Sequence, residues 1–202
     1  MISSPPSETT SAIENLYEVL SSDRFLKMES IGNEVPLFIK PYPVEHESES
    51  VRAVTALSKR LQNKGMDVLK IDLLELVTDL LTEKGQLQRL LDREAGFKKE
   101  LFHDTMRRLI DPQTSLVPAF KELFDASPRD ITIIHGVGGV FPFVRTHNLL
   151  ENLQPIVNDH PVVLFFPGDY RHHEGSGSAL SLFGRLEHKG YYRAFNLDHY
   201  HL

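Results

Sequence analysis

The chain is 202 residues long, 41% hydrophobic and 25% charged, with 12 glycines and 12 prolines, which is the make-up of an ordinary globular protein and excludes a disordered or fibrous one. Its formal charge of −6 and pI near 5.9 argue against a large sequence-independent grip on nucleic acid, because that grip comes from lysines and arginines neutralising phosphates. The lack of any cysteine excludes a disulfide framework, thiolate zinc sites and a cysteine nucleophile, and is compatible with a reducing compartment.

Residues 1 to 12 are polar and rich in proline and serine, without the basic start and apolar segment of a signal peptide. No apolar run is long enough to span a bilayer, so a cytoplasmic protein without a membrane partner is expected, with residues 1–10 disordered. Ile13, Leu16, Tyr17 and Leu20 then recur at helical spacing. The run from Glu34 to Lys40 (EVPLFIK) reads as a first strand, ended by Pro41 and Pro43. An acidic, serine-rich loop follows, in which Ser48 or Ser50 can cap a helix whose apolar face is Val51, Val54, Leu57 and Leu61 and which stops at Lys64 and Gly65. Met66 to Leu73 (MDVLKIDL) is a second strand.

From Leu73 to Ile110 the pattern is helical with a break at Lys84 and Gly85. One stripe runs through Leu73, Leu76, Val77, Leu80 and Leu81, and another through Leu87, Leu90, Leu91, Phe97, Leu101 and Phe102. A shorter helix from Val117 to Phe124 leads into the stretch from Asp130 to His147, DITIIHGVGGVFPFVRTH. Its unbroken apolar run suits a strand covered on both faces, as in parallel sheets. Gly136, Gly138 and Gly139 mark a turn, and Pro142 is placed to open a helix. Pro161 to Phe166 (PVVLFF) is another buried strand, and Tyr191 to Leu197 (YYRAFNL) a closing edge strand.

This order predicts a single α/β domain over residues 1–202, with a mostly parallel sheet of about five strands flanked by helices. Residues 73–125 form a helical insertion or subdomain. The order also admits a degenerate P-loop-like topology. In that case the loop after the first strand, KPYPVEHESES, has acidic side chains where a phosphate-binding lysine would stand, and the phosphate site is lost.

Chemistry is sparse. The Gly136, Gly138 and Gly139 loop is an anion-site candidate, since free amides and a helix dipole favour negative charge. Phe141 stands where a dinucleotide fingerprint needs its third glycine, and no P-loop motif occurs. His172, His173 and Glu174, with His188, His199 and His201, lack a metal-binding spacing and read as solvated. Gly175, Ser176 and Gly177 lie in a polar loop rather than a nucleophile elbow. No catalytic residue, metal ligand or cofactor is assigned. The compact basic groups, Arg107 with Arg108 and Arg171 with His172 and His173, read as solvated. The aromatic and arginine-rich motifs FFPGDY, SLFGRL and YYRAFNL have the make-up of interface anchors. Asp169, Tyr170, Arg171, Tyr191 and Arg193 are therefore the partner-binding candidates, with Asp169, Tyr170 and Arg171, which follow directly on a buried strand, expected to face outward.

The succession IIHGVGGVFPFVRTHNLL, VVLFFPGDY, SLFGRL and YYRAFNL resembles the BrxB family of the bacterial BREX phage-exclusion systems, most specifically over residues 131–197. Gly136, Gly138, Pro142, Arg145, Pro167 and Gly168 match its motif positions, as do Tyr170, Leu182, Phe183, Tyr191, Tyr192, Arg193 and Phe195. The resemblance implies a cytoplasmic antiviral defence protein without assigned chemistry. It would work beside a site-specific methyltransferase, large ATPases and the alkaline-phosphatase-like protein PglZ, and PglZ is the partner it favours. Contact with DNA would be indirect, through the complex. Two other function classes stay open: a nucleotide- or phosphate-binding enzyme or sensor using the glycine loop, and a nucleic-acid-binding accessory module.

Overall fold

The apolar runs of the sequence form the centre of the computed structural model, which describes residues 8–29, 35–96, 98–173, 177–190 and 193–200. Four of them are parallel strands: β1 (Leu37–Tyr42), β2 (Val68–Asp72), β3 (Ile131–His135) and the first half of β4 (Val162–His173). The short β7 (Phe195–Asn196) adds to β1, giving the order β2-β3-β4-β1-β7. Thus β1 lies inside the sheet and is followed by a loop and helix, as a P-loop-like topology requires.

Because alternate side chains leave opposite faces of a strand, the sheet has a core on each side. Leu37, Ile39, Ile134, Leu164 and Phe166 point to one. Phe38, Ile131, Ile133, Val163 and Phe165 point to the other. The second face is covered by α1 (Glu8–Leu20), α2 (Asp23–Leu26) and α3 (Glu47–Asn63), through Leu20, Phe25, Val54, Leu57 and Leu61. The first is covered by α4 (Leu73–Glu83), α5 (Leu87–Arg93), α6 (Lys99–Leu109), α7 (Val117–Ala126) and α8 (Thr146–Leu153), through Val77, Leu90, Met106, Phe120 and Leu150. The helical segment 73–125 therefore shares the sheet's own core. Its second apolar stripe is only partly inward: Leu90 is buried, whereas Leu91 and Leu101 are 55% and 52% exposed. Phe97 of that stripe lies outside the described residues.

Three expectations need correction. The first strand runs on through Pro41 to Tyr42. Since β7 pairs only with Phe38 and Ile39, the end of β1 is an edge on that side, where proline's missing N–H is tolerated. Pro142 does not open a helix. A 3-10 turn, Val137–Val140, and a further turn anchored by buried Val140 and Val144 precede α8, which begins at Thr146.

The third correction concerns the C-terminal region, read as a polar loop and one edge strand. Beyond Pro167, β4 leaves the parallel sheet and pairs antiparallel with β5 (Gly177–Leu182), which pairs with β6 (Leu186–Gly190). Of the Gly175–Gly177 loop, Gly177 is a strand residue opposite His173, and residues 175 and 176 lie outside the described ones. Of the Tyr191–Leu197 strand, residues 191 and 192 lie outside the described ones, and among the rest only Phe195–Asn196 is a strand. Among the described residues no helix is long and apolar enough to cross a membrane.

Candidate functional site

Ligands of open α/β sheets gather at the carboxyl ends of the strands. Here that edge carries Tyr42 from β1, Asp72 from β2, His135 from β3 and the Pro167–Gly168 bend of β4. Asp72 precedes α4, and its Oδ1 accepts from the amides of Leu74 at 2.9 Å and Glu75 at 3.3 Å, a strong N-cap. Its Oδ2 is 3.6 Å from His135 Nδ1, too far for a hydrogen bond. The His135 ring is buried, and neither nitrogen has a hydrogen-bond partner among the described residues. Burial holds its pKa below the usual histidine range against the attraction of Asp72. At neutral pH it is an uncharged imidazole enclosed beside a carboxylate. Sequence reading did not single it out; the available signal was a histidine ending an all-apolar strand just before a glycine turn.

On β1, the Tyr42 hydroxyl donates to Glu47 Oε2 at 2.6 Å, and burial together with that hydrogen bond raises the phenol's pKa. A groove of about 360 Å³ opens over the ends of β1 and β4, with Glu45, Asp169 and Asp198 among its walls. Lys40 pairs with Asp198 beside it. The electrostatics of this edge are acidic, which disfavours a phosphate and favours a cationic partner.

The glycine loop is placed accordingly. Gly136 has φ +77°, and a Cβ there would fall 2.5 Å from Asp72 Oδ1, so this position requires glycine. A Cβ on Gly138 would meet Phe183 at 3.3 Å and Pro167 at 3.4 Å, with Glu47 Oε2 at 3.7 Å. The amides of Gly139 and Phe141 donate to the carbonyls of Gly136 and Gly138. The loop's neighbours are the chain's own side chains, carboxylates among them. That is a tight turn's environment rather than an anion cradle.

The C-terminal candidates divide. Tyr170 does not face outward: it is 3% exposed, and its hydroxyl donates to Ala194 O at 2.7 Å. The Asn196 side chain returns a bond to Tyr170 O at 3.0 Å. These bonds tie the segment carrying β7 to β4, so Tyr170 is a structural latch. Its neighbours in the strand, Asp169 and Arg171, lie on the opposite face, and both are exposed. Arg193 is also exposed, one residue from the latch at Ala194. Tyr191 lies outside the described residues, as does Glu174 of the histidine group. Among the described residues no cluster of three or more histidine or acidic side chains could hold a metal ion.

The class so defined is an open-sheet α/β domain with P-loop-like order, whose ligand edge carries the chain's own carboxylates and whose fourth strand extends into an antiparallel hairpin. The family described as "BREX protein BrxB" matches residues 69–197. The BREX protein BrxB of Bacillus cereus (strain H3081.97) is 32% identical over 189 residues, covering 91% of this chain and 96% of that protein. The BREX protein BrxB of Escherichia coli O9:H4 (strain HS) is 28% identical over 185 residues, covering 92% and 89%. No solved structure matches. The chain belongs to the BrxB family.

Proposed function

We propose that this protein is a non-enzymatic interaction subunit of a BREX antiviral defence system, working in the cytoplasm, and that its hairpin face binds PglZ. The family membership supports the BREX role. The observation that carries the binding reading is the alternation along β4. Tyr170 is locked into the core, so Asp169 and Arg171 on the other face sit on a backbone that loses little freedom when a partner docks. Exposed Arg193 extends the same charged group from the latched segment. The acidic ligand edge supports a binding rather than a phosphoryl-transfer role.

The test is association of the purified full-length protein with PglZ, together with phage protection by the whole operon. Arg171→Glu combined with Arg193→Glu is expected to weaken the complex at least about tenfold, because charge reversal at a docking face acts directly on complementarity. The melting temperature should stay within a few degrees, since both side chains are exposed. A folded double variant with full PglZ affinity and full protection places the interface elsewhere.

A further inference from the structure

Between the first turn of α8 and the core-side face of the hairpin lies an open cavity of about 320 Å³. Its floor is apolar, built from Phe141, Phe166, Leu180 and Leu182, and Leu186 of β6, 48% exposed, overhangs it. One wall carries Arg145, Thr146 and His147; the other carries Arg185, Glu187 and His188. The two histidines bridge the walls, their rings stacked 3.6 Å apart and 6° from parallel. Burial, reinforced by His188 and Arg145, pushes the His147 imidazole down to about 4, so it is neutral at pH 7.

Independent features converge on this cavity. Arg145 occupies the N-cap of α8 without a side-chain capping bond, so no cap side chain satisfies the first-turn amides, which are the positive end of the helix dipole. The Thr146 side chain lines the cavity and its residue is 6% exposed, yet its hydroxyl has no hydrogen-bond partner among the described residues. Buried hydroxyls are normally paired, so an acceptor is missing there. Arg145 and Arg185 are exposed, and neither guanidinium has a hydrogen bond or ion pair with another described residue. Glu187 is the single carboxylate among the described lining residues, which leaves a cationic excess among them.

We propose that this cavity binds a small phosphate-bearing ligand of nucleoside-monophosphate size. The phosphate sits between Arg145, Arg185 and the first turn of α8, and the organic part lies on the Phe141 and Leu182 floor. Forked guanidiniums and helix amides are the groups that recognise phosphate oxygens. The volume is within the range of small-molecule sites, about 300–1,000 Å³. The site is distinct from the 136–139 turn and from the hairpin's outer face, so it stands or falls apart from PglZ binding.

The full-length protein, with its His147 and His188 rings observed by NMR, is titrated at neutral pH and constant ionic strength with inorganic phosphate and, separately, with 5′-AMP. Both are expected to shift the two rings saturably, AMP at lower concentration. Arg145→Gln combined with Arg185→Gln is expected to weaken both at least about tenfold, with the melting temperature retained. Should the double variant unfold, Arg185→Gln alone, at an exposed turn, carries the same expectation. A bound dianion is also expected to raise the His147 pKa, against the background of Arg145, Arg185, Glu187 and His188. The proposal is overturned if neither probe gives a saturable shift, or if the shifts persist undiminished in a folded arginine variant. AMP binding no more tightly than phosphate overturns the role given to the apolar floor.

Discussion

Tyr170 shows how one residue can carry a motif's weight without meeting a partner. Its ring fills the core under the hairpin and its hydroxyl reaches the Ala194 carbonyl, while Asn196 bonds back to its own carbonyl. Tyr170→Phe keeps the ring and leaves a buried carbonyl without its donor, so it should lower stability by about 1–3 kcal/mol. Tyr170→Ala also opens a cavity and should cost about 3–5 kcal/mol. Urea unfolding of the two variants checks both values. Equal, negligible losses would mean that the latch is not formed. Failure of a Tyr170→Ala variant to bind PglZ would thus report unfolding rather than a lost contact, and for that reason the charge reversals belong at Arg171 and Arg193. At this scale the sequence was half legible. A tyrosine and an arginine directly after a buried strand were recognisable as interface-like, but that the strand continues through them, and which one faces inward, depended on the pairing of β4 with β5.

At the scale of elements, β4 is the part that makes the molecule more than an open sheet. Its first half lies between β3 and β1, and its second half founds the hairpin. The change of sheet occurs at Gly168, where φ is +145° and a Cβ would fall 2.0 Å from Ser181 O. Gly168→Ala should therefore cost more than about 2 kcal/mol, combining a forbidden φ with a backbone clash. Gly96→Ala, whose Cβ meets nothing within 4 Å, should be close to neutral. Denaturant midpoints compare the two, and a Gly168→Ala variant as stable as Gly96→Ala would remove the bend as a structural requirement. Strand β3 and the first half of β4 were legible because full burial makes them continuous apolar runs. The hairpin was not, because β5 and β6 (GSALSL and LEHKG) are short and have only one face against the core.

For the whole molecule, the buried imidazoles make stability depend on pH. Burial holds the pKa of His135, His147 and His160 below the unfolded histidine value of 6.5. In His160, Nδ1 lies 2.6 Å from Asp159 and Nε2 2.8 Å from Thr132 Oγ1, which fits a neutral ring donating to the carboxylate and accepting from the hydroxyl. As pH falls below 6.5 the unfolded chain takes up protons that the native one refuses, so stability declines, for His147 down to about 4. Asp159, whose pKa is lowered by its bond to His160, adds a loss below 3.8. The melting temperature should drop between about pH 7 and about pH 4.5, less steeply in His147→Gln; a flat profile in the parent protein would contradict the neutral buried rings. By itself the sequence determined what local and compositional physics can decide: the α/β class, most of the parallel strands, the acidic loop after β1, and the motifs of the BrxB family. Only the tertiary structure decided that Tyr170 is a latch, that Asp72 and Glu47 crowd the glycine turn, and that Arg145 and Arg185 share one cavity. Each of these depends on which residues distant in the chain are brought face to face, and neither periodicity nor composition encodes that.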